Sequence, residues 1–197
     1  MTLRPIAAAV LGLALTAGSA LAEPVTYNID PGHTYPSFEA DHMGGLSVLR
    51  GKFTSTSGKV VLDKQAQTGS VDIKIDTNSL DFGHEKLNEH AKNEDMFDVN
   101  KYPTATFTGK LVNFKNGAPT AIDGTLDLHG VKKPVQLTIN KFLCKQHPMR
   151  KTEVCGADAS GTIKRDDFGI DYGKQMGFDM NVKLLISIEA LKAGGAE

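Results

Sequence analysis

Residues 122 to 139 constrain this chain more than any other stretch. Ile122, Gly124, Leu126 and Leu128 alternate with Asp123, Thr125 and Asp127. His129-Gly130 interrupts, and then Val135, Leu137 and Ile139 resume the alternation against Gln136, Thr138 and Asn140. A period of two belongs to a half-buried strand, because successive side chains leave a strand on opposite faces. Two such runs joined by a short glycine-containing connection predict an antiparallel hairpin with one apolar and one wet face. Pro134 has no N–H to donate, so it is expected at the start of the returning strand, outside the central ladder. Apolar faces of this kind must enclose something.

The same grammar recurs along the chain. Val71, Ile73 and Ile75 alternate with Asp72, Lys74 and Asp76, and Met180, Val182, Leu184, Ile186 and Ile188 form a long final strand. Shorter strands are expected at 25–30, at 33–41, from Leu46 through Phe53, around Val60 and Leu62, over 104–114, and on both arms of a hairpin ending with Ala159, Gly161 and Ile163. Gly44-Gly45 predicts a bend or bulge and Asn116-Gly117 a turn. Eight to ten strands joined by short turns pack as a sandwich or close into a barrel. Closure removes exposed strand edges, and the long last strand is suited to sealing against the first. The expected fold is all-β, a closed antiparallel barrel of about eight strands.

One segment breaks the pattern. Between Asn78 and Pro103, Leu87, His90, Ala91 and Glu94 fall at helical spacing, which predicts one or two helical turns. Such an insertion is a cap or a plain surface crossover, and both readings stand. A Gly- and Asp-rich excursion from Arg165 to Gly177 precedes the final strand.

The ends read differently from the middle. Arg4, an apolar run from Ile6 to Leu15 and Ala20-Leu21-Ala22 before Glu23 describe a secretory signal peptide over 1–22. The apolar run is shorter than the ~20 residues a membrane span needs, and no Cys follows it to carry a lipid. The folded domain is expected over 23–192, with a disordered tail over 193–197. The chain carries 22 basic and 23 acidic residues, a net charge of −1, so no dominant field marks it for nucleic acid or anionic lipid. Export places both cysteines, Cys144 and Cys155, in an oxidising compartment, where an even count argues for a disulfide. No Cys-x-x-Cys spacing supports a catalytic or metal-binding pair. Closing so short a loop contributes about 3 kcal/mol in the chain-entropy model.

Catalytic chemistry finds little support. Six histidines (His33, His42, His84, His90, His129 and His147) invite a metal reading, but His84 and His90 are six apart and leave a helix on different faces. There is no Gly-x-Ser-x-Gly elbow and no free Cys beside a His. Asp167-Phe168-Gly169 has none of the companion motifs of a kinase. Asp166-Asp167 are ordinary turn residues, and the chain has no Trp with which to stack a sugar. No catalytic residue, metal ligand or cofactor is assigned. What remains is the interior. An eight-stranded barrel fills its middle with side chains or holds one small ligand. Small inward residues, Gly51, Gly124, Ala159 and Gly161, would leave volume walled by Phe38, Phe53, Phe107, Phe168 and Met180. A solid core with glycines at strand bends explains the composition equally well.

Several blocks resemble the YceI-like family: Tyr27-x-Ile29-Asp30-Pro31-x-His33, Phe38 followed by His42-Met43-Gly44, Gly51-x-Phe53, Met96-Phe97-Asp98-Val99 through Phe107, Gly124 through Val135, and Ile163-Lys164-Arg165-x-Asp167-Phe168-Gly169. They run in the family's order, with Thr34 where the family usually has Ser. The resemblance implies a lipocalin-like, extended barrel in the periplasm, without catalytic residues, that holds a polyisoprenoid, quinone or other long-chain amphiphile. It also allows a homodimer. Inward alternation places the tail among Phe38, Phe53, Ile73, Ile75, Phe107, Leu126, Ile163, Phe168 and Ile186, with His42, Asn88 and Arg165 expected at a polar head group. The rival readings are a metal-dependent enzyme using His33, His42, His84 or His90, and a structural or stress-response barrel with a protein partner.

Overall fold

The computed structural model describes residues 23–194; the predicted leader at 1–22 and positions 195–197 of the predicted tail lie outside them. Eleven strands and one helix follow in order: β1 (Val25–Ile29), β2 (Tyr35–His42), β3 (Ser47–Phe53), β4 (Thr56–Asp63), β5 (Thr68–Asp76), β6 (Leu80–Asp81), α1 (Glu85–Lys92), β7 (Thr104–Val112), β8 (Ala121–Leu128), β9 (Val131–Gln146), β10 (Glu153–Lys164) and β11 (Asn181–Lys192). The pairings run β1–β4–β5–β7–β8–β9–β10–β11 and return to β1, a closed eight-membered antiparallel ring.

Two of the eight staves are broken. The edge of β11 meets β2 over Ser187–Val182 and β1 over Ala190–Lys192, so β1 and β2 are one bent stave interrupted at Pro31-Gly32. Likewise β4 pairs with β1 and β3 pairs with β2, with only Thr54-Ser55 between them. Thr34, 1% exposed, sits at the break in the first stave. Its hydroxyl donates to the Glu189 carbonyl at 3.2 Å and accepts the Glu189 N–H at 3.1 Å, replacing the ladder bonds lost at the kink. Any hydroxyl at this position can do so, Ser included.

Turn chemistry sets the registers. His129 and Gly130 both have positive φ, 54° and 75°, the two-residue mirror-image turn whose twist matches the flanking strands. Asn116 and Gly117 repeat it between the bridged Lys115 and Ala118. At Gly44-Gly45 the expected bend is the hairpin turn between β2 and β3, with no bulge in their register. With Met43 the pair makes this turn, all three at positive φ, held by the Asp41 carboxylate accepting the Gly44 and Gly45 N–H groups. Pro134 lies inside β9, not at its start, opposite Thr125. Its missing N–H is tolerated because β10 pairs with β9 only from Thr138 onward. Ala193, the first residue of the expected disordered tail, donates its N–H to Thr26 at 2.8 Å.

The predicted disulfide is present. Cys144 and Cys155 face each other directly across β9 and β10, bonded at 2.07 Å. His147 Nδ1 accepts the N–H groups of Met149 and Arg150 and so organises the tip of that hairpin.

Candidate functional site

The interior of the barrel is divided by height. On β5, Ile75 and Ile73 border a cavity and Val71 does not; on β9, Val135 and Leu137 border it and Ile139 does not; on β11, Val182 through Ile188 border it and Ala190 does not. Beneath the cavity, Tyr27, Leu62, Val71, Leu111, Ile139 and Ala190 are packed together, Tyr27 at 1% exposure and Leu62 at 2%. The barrel is therefore filled at one end and hollow at the other. The hollow measures about 610 Å³ and its wall is almost entirely hydrocarbon.

The segment that broke the strand pattern covers this hollow. Of the four positions at helical spacing, Leu87, His90 and Ala91 face it from α1, and Glu94 lies beyond the helix and does not; Met96 and Phe97 face it from the turn that follows. Phe97 meets Phe38 at 6.5 Å and Phe53 at 5.8 Å between ring centres, and Phe82 meets Phe38 edge-on at 5.6 Å. Aromatic pairs of this geometry contribute about 0.5–1.5 kcal/mol each beyond burial, so the four rings dock the cap on the wall. The segment is a cap, and the surface-crossover reading is set aside.

The small inward residues serve the wall, not the void. A Cβ at Gly51 would lie 2.5 Å from the Phe38 ring and one at Gly124 would lie 2.4 Å from the Phe107 ring. The rings lie across the glycines, so the space these residues concede is already taken by phenyl groups. Volume survives above them because the layer they support does not reach across the barrel.

The mouth is polar in its backbone and apolar at its rim. Arg165 is buried beneath the 165–177 excursion, where its guanidinium donates to the carbonyls of Ile170 at 3.1 Å and Tyr172 at 2.6 Å. Burial draws its pKa below the ordinary arginine value, while Asp166, Asp171 and Asp41 act in the opposite direction. Asp41 accepts N–H groups from Asp179, Gly45 and Gly44, which hold its carboxyl below the usual range and tie the β2–β3 turn to the segment leading into β11. Met43 and Met176 border the cavity and remain 57% and 61% exposed. Inside, the Thr56 hydroxyl is buried in the wall without a partner.

Of the twelve residues read as ligand-binding, Phe38, His42, Phe53, Ile73, Ile75, Phe107, Leu126, Ile163, Arg165 and Ile186 border the cavity. Asn88 and Phe168 do not. Asn88 accepts the Phe82 N–H at 2.7 Å and donates to Asp81 at 3.0 Å, so its amide is committed to the join between β6 and α1. Phe168 belongs to a tight turn over Arg165–Phe168, where strand alternation no longer applies. It is buried in the core, and its carbonyl takes the Nδ1–H of His129 at 3.1 Å. Met180, expected in the wall, is buried just before β11 begins and is not among the bordering residues. Sequence reading missed Thr56, Phe82, His90, Phe97, Tyr172 and Phe178. Leu87-x-x-His90-Ala91 was the available signal for the cap, but a helical face does not say what it covers.

The histidines of the metal reading do not gather. His33 pairs with Asp30 at 2.9 Å, His42 packs beside Phe178, and His90 meets Tyr172 edge-on at 4.8 Å. Among the described residues the one grouping with metal-like spacing is Cys144, Glu153 and Cys155, whose sulfurs are bonded to each other.

Fold and site together define a binding barrel: a closed antiparallel wall, capped at one end, around an apolar hollow. The chain belongs to the YceI-like family, whose YceI-like domain matches residues 27–190. It is 35% identical over 196 residues to a UPF0312 protein of Pseudomonas paraeruginosa, covering 98% of this chain and 100% of that one. Among solved structures, the Burkholderia cenocepacia protein BcnA superposes with a TM-score of 0.63 at 21% identity, over 82% of this chain and 99% of that one. A polyisoprenoid-binding domain from Saccharophagus degradans superposes with a TM-score of 0.59 at 17% identity, over 85% of this chain and 99% of that one. At these identities both neighbours speak to the fold.

Proposed function

We propose that this protein is an exported, non-enzymatic lipid carrier or store that holds a polyisoprenoid, quinone or similar long-chain amphiphile inside the barrel, in the periplasm and without a cofactor. The observation that carries the reading is the hollow of about 610 Å³ with a hydrocarbon wall in a chain of this size. An empty apolar hollow forfeits dispersion contacts on every side, which a flexible hydrocarbon tail restores. Each methylene taken from water contributes about 0.8 kcal/mol before ordering costs, so a tail of several isoprene units binds without charged anchors. The polyisoprenoid-binding neighbour supports the same ligand class, and the disulfide suits an oxidising compartment.

The test is extraction of protein purified from its own host with organic solvent, followed by mass spectrometry. One equivalent of an isoprenoid or fatty amphiphile is expected. Leu184→Trp, which places an indole in the hollow, should keep the fold by circular dichroism and weaken lipid retention. A protein that carries and accepts no lipid, while folding normally, would overturn the proposal.

A further inference from the structure

We infer that the hollow is a chain-length ruler, which takes about 20–25 carbons of a tail, four to five isoprene units, and stops at a floor built from Tyr27, Val71, Leu111 and Ile139. The inference rests on the lipid reading above and adds a limit to it. A dry protein cavity of about 150 Å³ holds one benzene, roughly 25 Å³ per carbon. At that density 610 Å³ receives about 24 carbons at full occupancy.

The floor can act as a stop because it is braced. Tyr27 is 1% exposed, and its hydroxyl donates to Glu153 Oε1 at 3.2 Å; Lys64 pairs with the same oxygen. Glu153 is two residues from Cys155, so the disulfide joining β9 and β10 stands at this end of the barrel. Val71, Leu111 and Ile139 are each no more than 8% exposed. A tail pushing deeper would have to displace tightly packed side chains beside a cross-linked strand pair and break the part-buried Tyr27–Glu153 contact. The opposite end is not sealed by packed side chains: Met43 and Met176 are exposed there and border the cavity at the same time. Carbons beyond the limit therefore lie outside the mouth, half in water, where each added unit contributes little.

The experiment uses the mature, lipid-stripped protein and all-trans isoprenyl alcohols of two, three, four, five and eight units, with Kd read by displacement of a fluorescent fatty-acid probe. Affinity should rise at least tenfold per unit up to four or five units and change less than about threefold from five to eight. Ile73→Trp, which fills the lower part of the hollow, should move that break to a shorter alcohol. A steady rise through eight units, or a break that Ile73→Trp leaves in place, would overturn the ruler while leaving lipid binding intact. Absence of binding at every length would sink the lipid reading and the ruler with it.

Discussion

Gly51 lies beneath the Phe38 and Phe82 rings with φ outside the left-handed region, so the backbone there accepts any residue and only the two rings object. A methyl group at this position would sit 2.5 Å from Phe38 and 2.9 Å from Phe82. Because the hollow adjoins Phe38, the ring has somewhere to go. Gly51→Ala should cost about 1–3 kcal/mol in a denaturant melt and weaken lipid binding as well, since the displaced ring enters ligand space. Tyr27 supplies a second test. Burial first, then the Glu153 charge and hydrogen bond, push its phenol up to about 12. A raised folded pKa favours the protonated form, so this stability is full below pH 10 and is lost as pH rises through about 12. In an ultraviolet titration the last tyrosine to ionise should vanish in Tyr27→Phe. The Asp30–His33 pair works in both directions. The hydrogen bond and charge of Asp30 raise the His33 pKa, so its contribution is full below 6.5 and fades as pH rises through the raised value. The His33 hydrogen bond lowers Asp30, whose contribution is lost as pH falls through its lowered value. The His33 ring protons should titrate above 6.5 by NMR and return toward it in Asp30→Asn.

At the scale of elements, strands with clean alternation and mirror-image turns were legible because both signals are local. Two-residue periods and Asn116-Gly117 need no distant partner to be read. The shapes of the cap and the 165–177 excursion were not, because they follow from side-chain-to-backbone bonds and ring contacts that no periodicity announces. Arg165 was readable as a polar residue near a mouth, yet two of its donors are spent on Ile170 and Tyr172 carbonyls, which fold the excursion around it. Asn88 was expected at the head group, but its amide holds the local join between β6 and α1 and does not border the hollow. The disulfide was legible through compartment and count. Replacing Cys144 and Cys155 by Ser should lower unfolding free energy by about 3 kcal/mol in a denaturant melt. The effect should be the same in the presence of reductant for the native protein.

At the scale of the whole molecule, stability and cargo are linked. A ligand that binds the folded barrel and not the open chain stabilises it by about 2.7 kcal/mol at a hundred times its Kd. Thermal melts of stripped protein should therefore move up with a four-unit isoprenyl alcohol and stay in place with glycerol, and Leu184→Trp should reduce the shift. The sequence by itself determined an antiparallel β architecture, most of its turns, the cross-strand disulfide and which side chains face inward. Those follow from periodicity and turn conformation, which act over a few residues. Only the tertiary structure decided that the inside is packed around Tyr27 at one end and open at the other. Whether inward side chains meet across a barrel depends on its radius at each height and on what the cap covers. The barrel closes through pairings between residues more than a hundred positions apart, such as Ile29 with Ala190, and the cap is placed by Phe97 docking on Phe38 and Phe53.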